Sequence, residues 1–193
     1  MKVLGIAGSP RRGGNTDLLL GEVMAGAASN QAEVKTIILS ELNIAPCRHC
    51  DGCLKMGRCV VEDDMQWIHT ELEEADRLVL ASPIFFMGVT AQTKMMIDRC
   101  QALWVRKYVL KLPISNRDRK GKGYFLSVGG TGLPNLFQPA IATVKSWFKI
   151  LDIEYAGELL YPRIEEKGAI AGHPTALKEA FLLGQRLAST PSL

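Results

Sequence analysis

A continuous apolar run, Val3 to Ala7, begins this chain and leads directly into a polar, glycine-rich stretch. Strands that are apolar at every position are typical of parallel sheets, because helices cover both faces of such sheets. Beyond the polar stretch, apolar residues recur at helical spacing, at Leu19, Leu20, Val23, Met24 and Ala27. The order of strand, loop and helix therefore predicts the first unit of a doubly wound α/β fold.

The same alternation continues along the sequence. Further apolar runs predict strands at residues 34–39, 77–82, 124–128 and 153–160, with segments of helical periodicity between and after them. Five strands alternating with five helices predict a three-layer α/β sandwich whose parallel sheet has the strand order 2-1-3-4-5. A length of 193 residues suits a single domain over residues 1–193, with a cysteine-rich loop at 44–60 after strand 2.

Composition limits the classes of partner that we expect. The net charge of +3 is too small to indicate nucleic-acid binding, and no apolar run is long enough to span a membrane. We expect a soluble, cytoplasmic protein, because no secretory signal segment is recognisable and free cysteines persist in a reducing compartment. Residues 105–122 form a basic excursion from the domain. This excursion is either a docking or lid element or a solvated loop.

The polar stretch from Gly8 to Thr16 has the composition of an anion site, since it brings backbone amides and a helix N-terminus together. It is neither a G-x-G-x-x-G pyrophosphate loop nor a Walker A loop. A compact terminal phosphate suits its side chains, which are the hydroxyls of Ser9 and Thr16, the amide of Asn15 and a guanidinium from Arg11 or Arg12. The alternative is that Asn15 or Thr16 only caps the helix.

An unusually apolar loop follows the third strand, where a strand-to-helix turn is normally polar. Its residues are Pro83, Ile84, Phe85, Phe86, Met87 and Gly88. Ligands of doubly wound sheets lie beyond the carboxyl ends of the strands, so we interpret this loop as a platform for a flat aromatic ring. Gly130 and Thr131, after the fourth strand, are expected at the same edge. A plug of the hydrophobic core is the alternative.

Four of the five cysteines, Cys47, Cys50, Cys53 and Cys59, have the spacing C-x2-C-x2-C-x5-C. Four thiolates held this close repel one another, so a cationic group is expected to hold them together. Consecutive C-x2-C steps favour a 4Fe–4S cluster, because they let one short loop surround it. A zinc site, a disulfide framework and a loop that binds nothing remain alternatives. Cys100 is expected to be buried and inert.

Several polar side chains carry expectations of their own. Asp63 and Gln66 suit a capping box at the start of a helix whose buried stripe is Met65, Ile68, Leu72 and Ala75. His69 is expected on the surface of that helix. The following helix is expected to place its polar residues Lys94, Asp98 and Arg99 in surface pairs and to bury Ala91, Met95, Met96, Cys100, Leu103 and Trp104.

With these motifs the whole chain resembles the NADPH-dependent FMN reductase branch of the flavodoxin-like superfamily, and with its cysteine loop it resembles the iron–sulfur flavoproteins. The matching residues are the loop from Gly8 to Thr16, the platform from Pro83 to Phe86, the helix with Lys94, Asp98 and Arg99, and the four cysteines. The resemblance implies FMN, with Ser9, Arg11, Asn15 and Thr16 at its phosphate and residues 83–88 around its ring. It also implies a 4Fe–4S cluster on the four cysteines.

The resemblance further implies a homodimer or homotetramer with flavin and cluster near subunit interfaces. The expected function is an oxidoreductase that transfers electrons between cluster and FMN and reduces a small-molecule acceptor, with ferredoxin or NAD(P)H as the donor. Two alternatives remain, namely an NAD(P)H-dependent FMN or quinone reductase without a functional cluster, and a non-catalytic flavodoxin-like carrier. Met87 stands where many relatives have a small residue. No general acid, base or nucleophile is predicted.

Overall fold

A computed structural model describes residues 1–115 and 120–189 of the chain. Its centre is a five-stranded sheet in the order β2-β1-β3-β4-β5, and every neighbouring pair of strands is parallel. The strands are β1 (Lys2–Ala7), β2 (Glu33–Ile38), β3 (Arg77–Ala81), β4 (Gly121–Gly129) and β5 (Ile153–Pro162). The predicted fold class and strand order are therefore confirmed.

Helices cover both faces of the sheet and complete the three layers. They are α1 (Asn15–Ser29), α2 (Met65–Glu74), α3 (Ala91–Arg99), α4 (Gln101–Trp104), α5 (Gln138–Ile150) and α6 (Ala176–Ala188). Short 3-10 turns span Leu39–Glu41 and Ala169–Gly172, and a π-helical turn spans Val105–Val109. One hydrophobic core packs α1 and α6 against the sheet, and a second packs α2 to α5 against the opposite face.

The burial of each strand follows from its place in the sheet. All five residues of the central strand β3 are buried, as expected for a strand between two neighbours and under two helical layers. The edge strand β2 is exposed at four of its six positions. Continuous apolar character in the sequence therefore identifies the central strands best.

Loops after three neighbouring strands meet at the carboxyl edge of the sheet. The amide of Gly8 donates to the carbonyl of Ala81 at 2.7 Å, which joins the loop after β1 to the end of β3. The Thr90 hydroxyl donates to the carbonyl of Gly8 at 2.5 Å, and the Ser127 hydroxyl donates to the carbonyl of Ser82 at 2.7 Å. These buried hydroxyls hold the loops after β1 and β3 to each other and to the end of β4.

Several expectations for α2 are wrong. Its buried stripe is the predicted one, but the side chain of Gln66 donates to the carbonyls of Cys59 and Val61 instead of closing a capping box. The carboxylate of Asp63 does accept the amide of Met65, at 3.0 Å. His69 is buried rather than on the surface, because its ring nitrogen reaches the carbonyl of Arg99 on the neighbouring helix.

The next helix also departs from prediction. Lys94 and Asp98 form the expected exposed pair, at 2.7 Å, but Arg99 is fully buried and pairs with Asp63. The predicted apolar face is interrupted because the helix ends at Arg99 and resumes at Gln101. Ala91, at the start of the helix, and Trp104 are exposed and Met95 is partly buried, while Met96, Cys100 and Leu103 reach the core as expected.

Part of the basic excursion at 105–122 packs against the domain. Val105 and Ile114 are buried, and Lys107 bonds Asp152 at 2.8 Å. Residues 116–119 of the excursion lie outside the described residues, so its role as a docking element stays a prediction. No helix in the two described ranges has the length and apolar character required to cross a bilayer.

Candidate functional site

A cavity of about 480 Å³ opens at the carboxyl edge of the sheet, within the size range of small-molecule sites. It is lined by residues from the loops after β1, β3, β4 and β5. The predicted residues that line it are Ser9, Arg11, Asn15, Thr16, Pro83, Ile84, Phe85, Phe86 and Gly130. The structure therefore brings the predicted anion loop and the predicted ring platform into one cavity.

The loop from Gly8 to Thr16 leaves amides available at the end of the cavity near α1. The Ser9 hydroxyl oxygen accepts the amide of Arg11 at 3.0 Å, and Gly13 takes a left-handed φ of 62°. α1 then begins at Asn15 without any side-chain cap, so Asn15 and Thr16 do not serve as caps. The first helical amides, which have no partner within the helix, point to an anion site.

Two cations line this cavity, Arg11 and Lys167. Within residues 1–115 and 120–189 neither of them forms an ion pair. Arg12, the other candidate guanidinium, pairs with Asp17 at 3.2 Å and with Glu41 at 2.9 Å and does not line the cavity. The cavity thus offers two positive charges to an anion.

Asn15 connects this loop to a segment that sequence reasoning missed. Its side-chain amide donates to the carbonyl of Glu166 at 2.8 Å and accepts the amide of Ile170 at 3.1 Å. These bonds hold residues 163–170 across the end of the sheet, where Ile164, Glu165 and Lys167 line the cavity with Val128 of β4. The position of this segment in the sequence could have indicated its role, because it follows β5 at the edge of the sheet where ligands of such sheets bind.

The apolar platform is a tight turn at the mouth of the cavity. Phe85 and Gly88 exchange amide-to-carbonyl hydrogen bonds of 3.0 and 2.9 Å. Phe86 and Met87 between them both have positive φ, 49° and 63°, which is strained for side chains of this size. Phe85 and Phe86 are exposed, so the turn is not a core plug. Met87, Gly88 and Thr131 do not line the cavity.

The four clustered cysteines line a second cavity, of about 270 Å³. Its opposite wall comes from Arg99, from α4 and from Val105. Gly57 packs tightly against Arg106, the residue that follows this wall, because a methyl group added to Gly57 would fall 2.8 Å from Cβ of Arg106. His49 lines the same cavity. The loop at 44–60 therefore forms a cup closed by the segment around α4.

The thiols influence one another electrostatically. Burial raises the pKa of Cys53, and the nearby thiolates of Cys59, Cys47 and Cys50 raise it further. The amide of Gly52 lowers the pKa of Cys50, and Arg48 adds to that effect. The amide of Gly52 therefore lies close to the sulfur of Cys50.

Within the described residues, no group of three or more His, Cys, Asp or Glu side chains is arranged closely enough to hold a metal ion.

Cys100 is apart from this cup. Its thiol is fully buried, accepts the Trp147 indole N–H at 3.3 Å and has a pKa raised to about 12 by burial. The predicted burial of Cys100 is confirmed, and its inertness stays a prediction.

Among the residues that the structure describes, the two cavities have no lining residue in common. The platform at 83–88 lies before α3 in the chain. Arg99 is the last residue of α3 and α4 follows it, and both line the cysteine cavity. The nine residues of α3 span about 14 Å.

The sequence profile of the NADPH-dependent FMN reductase family matches residues 1–132. The chain belongs to this family. It is 33% identical to an iron–sulfur flavoprotein of Archaeoglobus fulgidus over 193 residues, covering 97% of this chain and 79% of that one. An iron–sulfur flavoprotein of Methanocaldococcus jannaschii is 43% identical over 103 residues, which span 53% of each protein, or about half its length.

The fold of this family member is also found in a solved oxidoreductase. A solved NAD(P)H:quinone oxidoreductase from Methanothermobacter marburgensis superposes with a TM-score of 0.72, covering 100% of this chain and 99% of that one. The sequence identity of the pair is 15%, so this likeness concerns the fold alone.

Proposed function

We propose that this protein is an FMN-dependent oxidoreductase whose cysteine loop holds a 4Fe–4S cluster, with electrons moving between cluster and flavin to a small-molecule acceptor. The observation that carries the proposal is the cavity that combines a polar, glycine-rich loop, the cations Arg11 and Lys167 and an apolar platform. When bound, FMN supplies one- and two-electron chemistry and a 4Fe–4S cluster supplies one-electron transfer.

The cavity residues divide the work of holding FMN. Ser9, Arg11, Thr16 and Lys167, with the amides at the start of α1, bind its terminal phosphate, since each hydrogen bond to a charged group contributes about 1.5–3 kcal/mol. Asn15 contributes by fixing the segment that carries Lys167. The isoalloxazine ring is supported by Pro83, Ile84, Phe85 and Phe86, which exclude water from one side of it. Met87 and Gly88 complete the turn, and Gly130, in the loop after β4, borders the ring.

The cysteine cup fits the proposed cluster through its donor set. Four thiols surround one cavity, and the amide at Gly52 favours thiolate at Cys50. We assign Cys47, Cys50, Cys53 and Cys59 as its ligands. Arg48, Lys55 and Arg58 of the loop offset the negative charge of four thiolates.

We further propose a cytoplasmic, single-domain protein that forms a homodimer or homotetramer and uses ferredoxin or NAD(P)H as its electron donor. Self-association is supported by Phe86, which is fully exposed at the mouth of the flavin cavity. The separation of the two cavities within one chain also suits a partner subunit that brings its own flavin to the cysteine cup. Sedimentation analysis distinguishes monomer, dimer and tetramer.

Protein purified without oxygen tests the cofactors directly. We expect one FMN per chain, together with about four iron and four sulfide, and a Ser9→Ala/Thr16→Ala double variant should bind FMN at least tenfold more weakly while staying folded. FMN bound with unchanged affinity by that variant would refute the flavin assignment. One zinc per chain, or no metal, would favour the alternative of an NAD(P)H-dependent FMN or quinone reductase without a functional cluster.

Cys50→Ser tests the role of the cup, with Cys100→Ala as the matched control outside it. We expect Cys50→Ser to lose or damage the cluster and keep FMN, because the flavin cavity and the cup have none of the described residues in common. Reduction of FMN by reduced ferredoxin should then fail, while chemical reduction by dithionite persists. A normal rate with ferredoxin would show that electrons enter elsewhere. Absence of turnover with any donor and acceptor would favour a non-catalytic carrier.

A further inference from the structure

The buried ion pair between Arg99 and Asp63 closes the base of the cysteine loop. Arg99 Nη1 donates to Asp63 Oδ2 at 2.5 Å and Nη2 donates to Oδ1 at 2.9 Å, so the pair is bidentate. The same guanidinium donates to the carbonyl of Ala45 at 2.8 Å and to that of Val61 at 3.3 Å. Ala45 precedes the first of the four cysteines and Val61 follows the last, so one side chain joins both ends of the loop.

Asp63 strengthens the same closure from the other side. Its carboxylate also accepts the amide of Ala45 at 2.9 Å and that of Met65 at 3.0 Å. Burial raises the pKa of Asp63, but the hydrogen bonds from Arg99, Ala45 and Met65 outweigh it and hold the pKa below its ordinary value. The pair is therefore a salt bridge of two charged groups under the loop.

One atom of this arrangement has no partner. The side chain of Arg99 is 0% exposed, and among the described residues its Nε–H finds no hydrogen-bond acceptor. Leaving a buried charged donor without an acceptor is unfavourable, so an acceptor is expected. Arg99 lines the cavity of the four cysteines. Cys59 lines the same cavity and lies two residues before Val61, whose carbonyl Arg99 binds.

We propose that Arg99 is a positioning residue for the cysteine cup, whose Nε–H donates to the sulfur of Cys59 when the cup is loaded and whose charge makes the cluster easier to reduce. The inference rests on the proposed function, because it requires a 4Fe–4S cluster on the four cysteines. Hydrogen bonds to the ligating sulfurs and the local net charge both set the reduction potential of such a cluster. Asp63 counteracts the charge of Arg99 while holding it in place.

The test compares the cluster potential in wild type, Arg99→Gln, Arg99→Lys, Asp63→Asn and the control Lys94→Gln. Lys94 lies on the same helix in an exposed ion pair. The measurement is a redox titration followed by electron paramagnetic resonance, with iron content and thermal unfolding of each protein. We expect Arg99→Gln to disfavour reduction about tenfold, a lowering of about 59 mV for a one-electron couple. Arg99→Lys should lower the potential less, and Lys94→Gln should not change it.

Asp63→Asn separates the effect of charge from the effect of a loosened cysteine loop. Removing either partner of a buried ion pair destabilises the protein, so both variants loosen the loop, but they change the local charge in opposite directions. Removing the carboxylate leaves Arg99 uncompensated, so the potential should rise. Shifts of the same sign in Arg99→Gln and Asp63→Asn, or a wild-type potential in Arg99→Lys, would overturn the inference alone. If Arg99→Gln does not fold, Arg99→Lys and Asp63→Asn decide by the same criterion. A wild-type protein without iron would overturn the proposed cluster and the inference with it.

Discussion

The burial of His69 on α2 should make the free energy of unfolding depend on pH. Its Nε2 lies 3.2 Å from the carbonyl oxygen of Arg99, which only accepts, so Nε2 carries the proton of the neutral ring. Burial lowers the pKa of His69 from 6.5 to about 4, so the folded protein disfavours the charged ring. Between these values the unfolded chain binds a proton that the folded protein does not. The free energy of unfolding should therefore fall as pH decreases from about 6.5 to 4, by up to roughly 3 kcal/mol.

Urea unfolding of flavin-free protein at pH 7 and pH 4.5 measures this loss. The matched protein is His69→Gln, which cannot titrate at this position. We expect the loss between the two pH values to be smaller in the variant by about 2 kcal/mol. Equal losses in the two proteins would show that His69 does not titrate between them.

At the scale of elements, two glycines allow α1 and α6 to pack with their backbones in contact. A methyl group added to Gly184 would lie 2.0 Å from the carbonyl oxygen of Val23, and one added to Gly26 would lie 2.0 Å from that of Phe181. Gly184→Ala should therefore force the helices apart and lower the free energy of unfolding by about 1–3 kcal/mol. The control is Gly21→Ala, because nothing lies within 4 Å of the added methyl group there. This second change should stabilise α1 by about 0.5–1 kcal/mol, and a similar effect of both changes in urea unfolding would contradict the packing argument.

The segment at 163–170 is a second element whose position depends on one contact. Asn15→Ala removes the hydrogen bonds to Glu166 and Ile170, each of which contributes about 0.5–1.5 kcal/mol. Because the segment carries Lys167, FMN should dissociate about tenfold more readily, as measured by flavin fluorescence. Thr143→Ala removes an exposed hydrogen bond on α5 and should leave FMN affinity unchanged. Unchanged affinity in Asn15→Ala would separate the segment from cofactor binding.

At the scale of the whole molecule, the cysteine loop presents positive charge beside the proposed cluster. Lys55 and Arg58 are exposed on this loop, whereas Lys178 is exposed on α6, which packs with the other core. An acidic one-electron donor should reduce the protein more slowly as salt increases, because screening weakens its attraction to the loop. Lys55→Glu should slow this reduction several-fold at low salt, and Lys178→Glu, which changes the net charge equally, should have less effect. Equal rates in both variants, measured by stopped flow, would exclude docking at the loop.

The sheet, the polar loop after β1 and the group of four cysteines could be recognised from the sequence alone. Strands β1 and β3 were recognisable because a strand covered on both faces is apolar at successive positions. The loop at Gly8 to Thr16 and the cysteine spacing were recognisable because their chemistry lies within a few consecutive residues. In each case the physical requirement is local, so a local pattern records it.

The residues that lie far apart in the chain and contact these loops could be found only in the folded protein. Asn15 lies 151 positions from Glu166, and Arg99 lies 54 positions from Ala45, so no local periodicity relates them. Arg99 and His69 are polar residues of helices, for which the surface is the usual place. They are buried because a carboxylate and carbonyl groups from other parts of the chain meet them there. Those partners come close to Arg99 and His69 only when the chain folds. The burial of these two residues therefore follows from tertiary packing and not from the local order of residues.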